Sequence, residues 1–312
     1  MDIIAILNSK AGYAGLLFAL SVLSLLGYEL WQDLREYLDD YWVDKLRRSS
    51  PRHLNIEAIK KIQKSVNGRE HFRFAVIGDT QKSFVSLNKI INRIHEDNFD
   101  FIIHLGDSTS SGRYTQYTKM VHFIEHIKVP IVLGVGNHDI SNRGRECFSH
   151  FCGPLNYYFD TGPYRFIFVN NNEKEFVPGL VELPVSTHQY KPLRGLYDEQ
   201  INYLELSIQG KEHNFIFMHI PPDFDRLKHH SFTRNSDRFI KMMGKYSTRI
   251  ARVLCGHIHG YVELLSEGVP YTITGGAGER LHSRRDGITN RFNYVLVDVT
   301  KGEITHTVRF ID

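Results

Sequence analysis

Disulfide chemistry is all but absent from this chain. Cys147, Cys152 and Cys255 are the only cysteines in 312 residues. An odd count in a chain of that length excludes a fold built on a disulfide framework. Cys147 and Cys152 stand five positions apart, a spacing that points them to different faces of any helix. All three read as thiols, in keeping with a reducing compartment. An excess of one charge is lacking too. The formal net charge is +3, and no basic stripe interleaves with aromatics, so no nucleic-acid partner is expected. There is no internal repeat to suggest a solenoid and no low-complexity tract to suggest a linker protein. The 42% hydrophobic content is enough for a sizeable globular core.

Long apolar runs are confined to one place. "AGYAGLLFALSVLSLLGY", Ala11 to Tyr28, carries no charge and as a helix is roughly 27 Å long, close to the hydrocarbon thickness of a bilayer. Tyr13, Tyr28 and Trp31 sit near its ends as interfacial aromatics do. A signal peptide needs a small-residue cleavage site, and "LLGYELWQ" is a poor one; a buried core helix is the other alternative. The expectation is a single-pass membrane anchor over residues 1–28. Lys10 precedes the span, while Arg35, Lys45, Arg47 and Arg48 follow it, which places the C-terminal side in the cytoplasm.

"ELWQDLREYLDDYWVDKLRRSS" then keeps a helical spacing of apolar residues, stopped near Pro51, and "NIEAIKKIQKSV" forms a second short helix. Residues 29–71 read as a helical juxtamembrane stalk, and residues 72–312 as a separate globular domain. From Phe72 the texture alternates. "FRFAVIG", "FDFIIHLG" and "PIVLGVG" are strands, separated by the helical patterns "SFVSLNKIINRIHEDN" and "YTQYTKMVHFIEHIK", which calls for parallel pairing with crossover helices. The later runs "YRFIFVN", "NFIFMHI", "RVLCGHI", "YTITGG", "NYVLVDV" and "ITHTVRF" are strand-rich. Two packed sheets with helices outside are expected.

Histidine is abundant, at 17 residues, and its placement is informative. "VIG" is followed by Asp79, "HLG" by Asp107, "GVG" by Asn137, His138 and Asp139, "IFM" by His219, and "VLCG" by His257 and His259. The carboxyl ends of parallel strands lie along one edge, where ligands bind. Any one of these residues alone is a turn residue, a cap or a packed side chain. Five strand ends carrying carboxylate, amide and imidazole donors suit a Zn, Mn or Fe site.

The ordered motifs "GDTQ", "GDS", "GNHD", "MHIPP" and "GHIHG" resemble the calcineurin-like metallophosphoesterase superfamily. "YYFDTGPYRFIFVNN" and "VPYTITGGAG" resemble its acid-phosphatase-like branches. The resemblance runs from about Phe72 to the C-terminus and implies a four-layer α/β sandwich of two mixed sheets. It implies two metal ions, Mn, Fe, Zn or Mg. Asp79, Gln81, Asp107 and His259 hold one, and Asp107, Asn137, His219 and His257 the other, with Asp107 as bridge. A hydroxide shared between them would attack a phosphomonoester or phosphodiester in line. His138 resembles the general acid, and Asp139 either orients its ring or caps the local turn. Most relatives carry His where Gln81 stands; either its amide oxygen ligates or a water takes that place. Arg280, Arg284 and Arg285 are candidates to clamp substrate phosphate, residues 172–195 are long enough for a lid, and "RLKHHSFTRN" is a candidate substrate loop. A membrane anchor favours a membrane-proximal or lipid-linked ester. The alternatives are a nuclease-like phosphodiesterase and a catalytically silent scaffold.

Overall fold

The computed structural model describes residues 10–81, 84–172, 194–224, 227, 230–278, 280–281 and 287–311. The chain forms two units, Met1–Ser49 and Ser50–Asp312. In the first, one helix, α1 (Lys10–Arg47), takes in the whole apolar run and the charged segment after it. Along it Leu23, Leu25, Leu26 and Leu30 stand more than half exposed. The expected membrane span is a helix, but its spanning role is not supported: among the described residues no helix is long and apolar enough to cross a membrane. The side chains of residues 10–16 and 19, within the apolar run, fall outside the described set.

The second unit begins earlier than residue 72. Helix α2 (Leu54–Val66) is part of this fold rather than of a stalk. It buries Ala58, Ile62 and Val66, spaced four apart on one face. The strands are β1 (His71–Ile77), β2 (Phe101–His104), β3 (Ile131–Leu133), β4 (Tyr157–Thr161), β5 (Tyr164–Phe168), β6 (His213–Met218), β7 (Ile250–Cys255), β8 (Tyr261–Ser266), β9 (Val269–Thr274), β10 (Phe292–Thr300) and β11 (Glu303–Ile311). They make two mixed sheets, ordered β11-β10-β1-β2-β3 and β4-β5-β6-β7-β9-β8. Helix α2 lies along the edge that β3 and β4 share. Asn55 brackets Leu133, its Nδ2 donating to the carbonyl (2.9 Å) and its Oδ1 accepting the N–H (2.8 Å), and Gln63 Nε2 donates to the Asp160 carbonyl. These bonds occupy backbone groups that an open edge leaves unpaired.

The expected crossover pattern is present: β1, β2 and β3 are mutually parallel, linked through α3 (Phe84–Glu96) and α4 (Tyr114–Glu125). In the second sheet β5, β6, β7 and β9 run parallel. The core between the sheets is built from alternate residues of each strand. Phe74 and Phe101 meet Phe166 at 5.4 and 5.6 Å between ring centroids, and Phe215 closes on Phe74 at 5.3 Å. Each fully buried Phe contributes on the order of 1.5–3 kcal/mol. The intervening residues Ile167, Ile216 and Met218 face outward and pack with Leu204, Ile208 and Phe239 of α6 (Asp198–Gln209) and α7 (Ser236–Lys245). A shorter helix, α5 (Gly144–Phe151), follows β3. With their carboxyl ends on one side, the parallel strands of both sheets deliver their following loops to a common rim.

Candidate metal centre

Each metal-ligand candidate sits just beyond a strand, and the backbone there is unusual. Asp79 (φ 60°), Gln81 (φ 41°), Asp107 (φ 56°) and His257 (φ 66°) all occupy the left-handed region, at a cost of order 1–3 kcal/mol apiece for residues other than glycine. The chain turns sharply there, folding donor atoms back over the rim. Tight packing enforces the turn. A Cβ on Gly136 would lie 2.1 Å from Asp107 Oδ1, so the "GNHD" loop approaches the Asp107 carboxylate only because that residue is glycine.

The two sheets contribute opposite halves of the cluster. Asp107 Oδ2 lies 3.2 Å from His219 Nε2, and Asp79 Oδ1 lies 3.8 Å from His219 Nε2 and 3.5 Å from His259 Nε2. Asp107, His219 and His257 each offer a donor atom within 4.8 Å of the others, and the His219 and His257 rings stand 5.2 Å apart. Three buried side-chain atoms of the candidate set have no hydrogen-bond partner: Asp79 Oδ1, Asn137 Oδ1 and His219 Nε2. Buried polar atoms normally find a partner. Here the unpaired ones are hard oxygen and imidazole donors, as Zn, Mn or Fe requires, so the residues present fit a metal centre.

The remaining polar atoms are used to aim these donors. His219 Nδ1 donates to the Leu105 carbonyl (3.1 Å) and His259 Nδ1 to the Arg280 carbonyl (2.7 Å), leaving each Nε2 facing the cluster. Asp79 Oδ2 accepts the His257 N–H (2.9 Å), and Asp107 Oδ1 accepts the His138 N–H (2.8 Å). Electrostatics match this crowding. Burial alone would pull the His219 imidazole down, but Asp107 and Asp79 outweigh it and raise its pKa to about 9. Burial would raise Asp107, but His219 and His138 bring it down to about 2. Burial pushes the Asp79 carboxyl up against the pull of His219. Burial also lowers His257 well below the ordinary imidazole value, leaving a neutral ring with a free lone pair.

His138 is placed beside this cluster, its Nε2 3.9 Å from Asp107 Oδ2 and its side chain 43% exposed. Its Nδ1 donates to the Ser110 carbonyl (2.8 Å). That bond corrects the idea that Asp139 orients the ring. The Asp139 carboxylate is fully buried and turned elsewhere. It accepts bonds from Ser108 N and Oγ, Thr109 N and Oγ1, and Gly136 N, at 2.8 to 3.3 Å. Asp139 therefore ties the "GDS" loop to the "GNHD" loop. Gln81 is buried, and its N–H donates to the Asp107 carbonyl (2.9 Å). Its left-handed backbone removes the extended-strand alternation that would aim its side chain with that of Asp79.

Of the three arginines expected to clamp phosphate, Arg280 meets the cluster through its main chain and its side chain is exposed; Arg284 and Arg285 lie outside the described residues, as does most of the expected lid, 173–193. Two other polar side chains stand close. Arg194, half-buried, is within electrostatic reach of Asp107 and His257, and the His230 ring is 6.2 Å from that of His257. His230 belongs to the "RLKHHSFTRN" loop, and the Arg194 carbonyl accepts the N–H groups of Thr233 and Arg234 from the same loop. His104 is a packed residue: its Nδ1 accepts the Gly106 N–H, its Nε2 meets Thr80 Oγ1, and burial lowers its pKa to about 3. Arg194 has no motif around it, and only the folded loop reveals it.

A family model described as calcineurin-like phosphoesterase matches residues 72–261. A probable cyclic nucleotide phosphodiesterase of Vesicomyosocius okutanii is 25% identical over 189 residues, which is 59% of this chain and 73% of that protein. A probable glycerophosphodiester phosphodiesterase, GpdQ, of Arcobacter nitrofigilis is 23% identical over 171 residues, 51% of this chain and 56% of that protein. The purple acid phosphatase PPD1 from yellow lupin (Lupinus luteus) seeds superposes with a TM-score of 0.58 at 16% identity, covering 78% of this chain and 52% of that one. At that identity the likeness is one of fold. The chain spans about half the length of the last two proteins.

Proposed function

The chain belongs to the calcineurin-like phosphoesterase family, and on that premise we propose that it hydrolyses a phosphodiester at a dinuclear metal centre. The observation that carries the reading is the buried approach of Asp107 Oδ2 to His219 Nε2 at 3.2 Å, with Asp79 Oδ1, Asn137 Oδ1 and His219 Nε2 lacking hydrogen-bond partners around it. Asp79, Gln81, Asp107 and His259 would hold one ion, and Asp107, Asn137, His219 and His257 the other. Bound there, such a pair supplies charge neutralisation for the phosphoryl group and acidifies a water. A diester is favoured over a monoester because the two relatives described above carry phosphodiesterase names.

The chain's own residues then have distinct tasks. Asp107, the most ionised carboxyl of the cluster, would be shared by the two donor sets. His138, held at Nδ1 by Ser110, presents Nε2 toward the cluster from an exposed position and delivers a proton to the leaving oxygen. Arg194 forms a cationic side of the site near His257, with the His230 ring beside it, and offsets the charge of the incoming phosphate. The exposed apolar side chains of α1 support a membrane tether; Arg35, Lys45, Arg47 and Arg48 after the apolar run favour the cytoplasmic face for the catalytic unit, and a tether favours a membrane-proximal or lipid-linked ester.

The test is hydrolysis of bis(p-nitrophenyl) phosphate against p-nitrophenyl phosphate by chelator-treated protein, before and after adding Mn, Zn, Fe or Mg. Metal-restored turnover with preference for the diester is expected. Hydrolysis that survives complete chelation would overturn the metal mechanism, and a monoester preference would overturn the substrate class.

A further inference from the structure

The segment after β5 reads "VNNN", and Asn170, Asn171 and Asn172 are all at most 1% exposed. Burying three consecutive side-chain amides is costly unless each is bonded, and their partners lie in two particular loops. Regular pairing of β5 with β6 runs to Phe168 opposite Phe217, and Val169 N still donates to the Phe217 carbonyl (3.0 Å). Beyond that the Asn171 side chain takes over from the backbone. Its Nδ2 donates to the Ile220 carbonyl (2.6 Å) and its Oδ1 accepts the Ile220 N–H (3.2 Å). Ile220 directly follows His219, so this paired amide grips the backbone at the point where that ligand candidate leaves its strand.

Asn172 reaches the other sheet through its Nδ2 alone. Its Nδ2 donates to the Val135 carbonyl (2.8 Å), two residues before Asn137, and to Asn170 Oδ1 (3.0 Å). Asn170 anchors the group: its N–H donates to Asn156 Oδ1 (2.7 Å), and its carbonyl accepts Gln200 Nε2 (2.8 Å) from α6. One strand end therefore grips the loops of Asn137 and His219. Both residues fall in the same half of the metal centre. Among the described residues, no side-chain hydrogen bond of Asn171 or Asn172 runs to the loops of Asp79 or His259.

We propose that Asn171 and Asn172 are positioning residues for the Asn137–His219–His257 half of the centre, and that they set the affinity of that half for its ion independently of the Asp79–His259 half. The proposal rests on the dinuclear reading. Partners behind metal ligands typically change metal affinity by about 10–100-fold, and that is the range expected here, confined to one of two binding steps.

The experiment titrates Mn²⁺ into chelated full-length protein. Stepwise constants come from calorimetry, and the coupled two-ion signal from electron paramagnetic resonance. The variants are Asn171→Ala, Asn172→Ala and Asn171→Asp, which keeps the acceptor for Ile220 N–H and loses the donor to its carbonyl. Asn214→Ala is the control. That buried amide bonds the carbonyls of Ile208, Lys211 and Arg249 at the opposite end of β6, so it tests general loosening of the same strand. The expected result is two ions per chain in the wild type. The Asn171 and Asn172 variants keep one step unchanged, weaken the other about 10–100-fold and lose the coupled signal, with Asn171→Asp falling between wild type and Asn171→Ala. In Asn214→Ala both steps keep their ratio. If Asn171→Ala fails to fold, Asn171→Asp and Asn172→Ala give the same comparison. Equal weakening of both steps, or no change in either, overturns the positioning role while leaving the dinuclear reading in place. A wild type that binds one ion overturns the dinuclear reading, and this inference with it.

Discussion

His219 Nε2 lies 3.2 Å from Asp107 Oδ2, with both side chains at most 2% exposed, and the two come from different sheets. In the metal-free chain the contact is an ion pair: Asp107 is held at about 2 and His219 is raised to about 9. A metal needs the same two atoms, with the imidazole neutral. Proton and metal therefore compete for one nitrogen.

From this follows a pH dependence of metal binding. The folded pKa of His219 lies above its ordinary value of 6.5. Its protonation thus stabilises the metal-free fold fully below pH 6.5, and that contribution is lost as pH rises through about 9. Apparent metal affinity should climb by up to roughly tenfold per pH unit across that window, with release of a proton on binding. Calorimetry in buffers of differing ionisation enthalpy reads both. Affinity flat between pH 6.5 and 9 would mean that His219 is not displaced from a proton.

His138→Ala should keep the metal content of the wild type and lose turnover by roughly 10²–10⁴-fold, the usual contribution of general acid catalysis. The loss should shrink for esters with good leaving groups, which need no proton. Equal losses across a leaving-group series would remove His138 from the acid role.

Asp139→Ala should be chiefly a stability variant. It strands donors of Ser108, Thr109 and Gly136 in a buried loop, at about 1–3 kcal/mol for each one left unsatisfied. A large drop in melting temperature is expected, with metal binding weakened through the displaced loops. A melting curve like that of the wild type, combined with lost turnover, would return Asp139 to a direct role in orienting His138.

The metal-ligand candidates were legible because each strand is a short apolar run that stops at its donor residue, as "HLGD" does at Asp107 and "IFMH" at His219. The two sheets followed from the same runs. Features held by distant partners were not legible. The apolar face of α2, Ala58, Ile62 and Val66, looks like that of any amphipathic spacer until β3 and β4 supply the edge it covers. Asp139 sits next to His138 in sequence, yet its carboxylate bonds to residues about thirty positions earlier. On an extended strand Gln81 would share a side with Asp79, two positions earlier, but the left-handed backbone at both residues breaks that alternation. Nothing in "VNNN" reveals that its amides bond to Ile220 and Val135.

Asp107 is the residue on which the account turns, because the proposed centre makes it the carboxylate shared by both ions. The most direct measurement is the metal content per chain of purified wild type and Asp107→Ala, taken on the same samples as turnover of a phosphodiester. Two ions per wild-type chain are predicted, with both depleted and turnover abolished in Asp107→Ala. Retention of two ions with normal turnover in Asp107→Ala would contradict the dinuclear account.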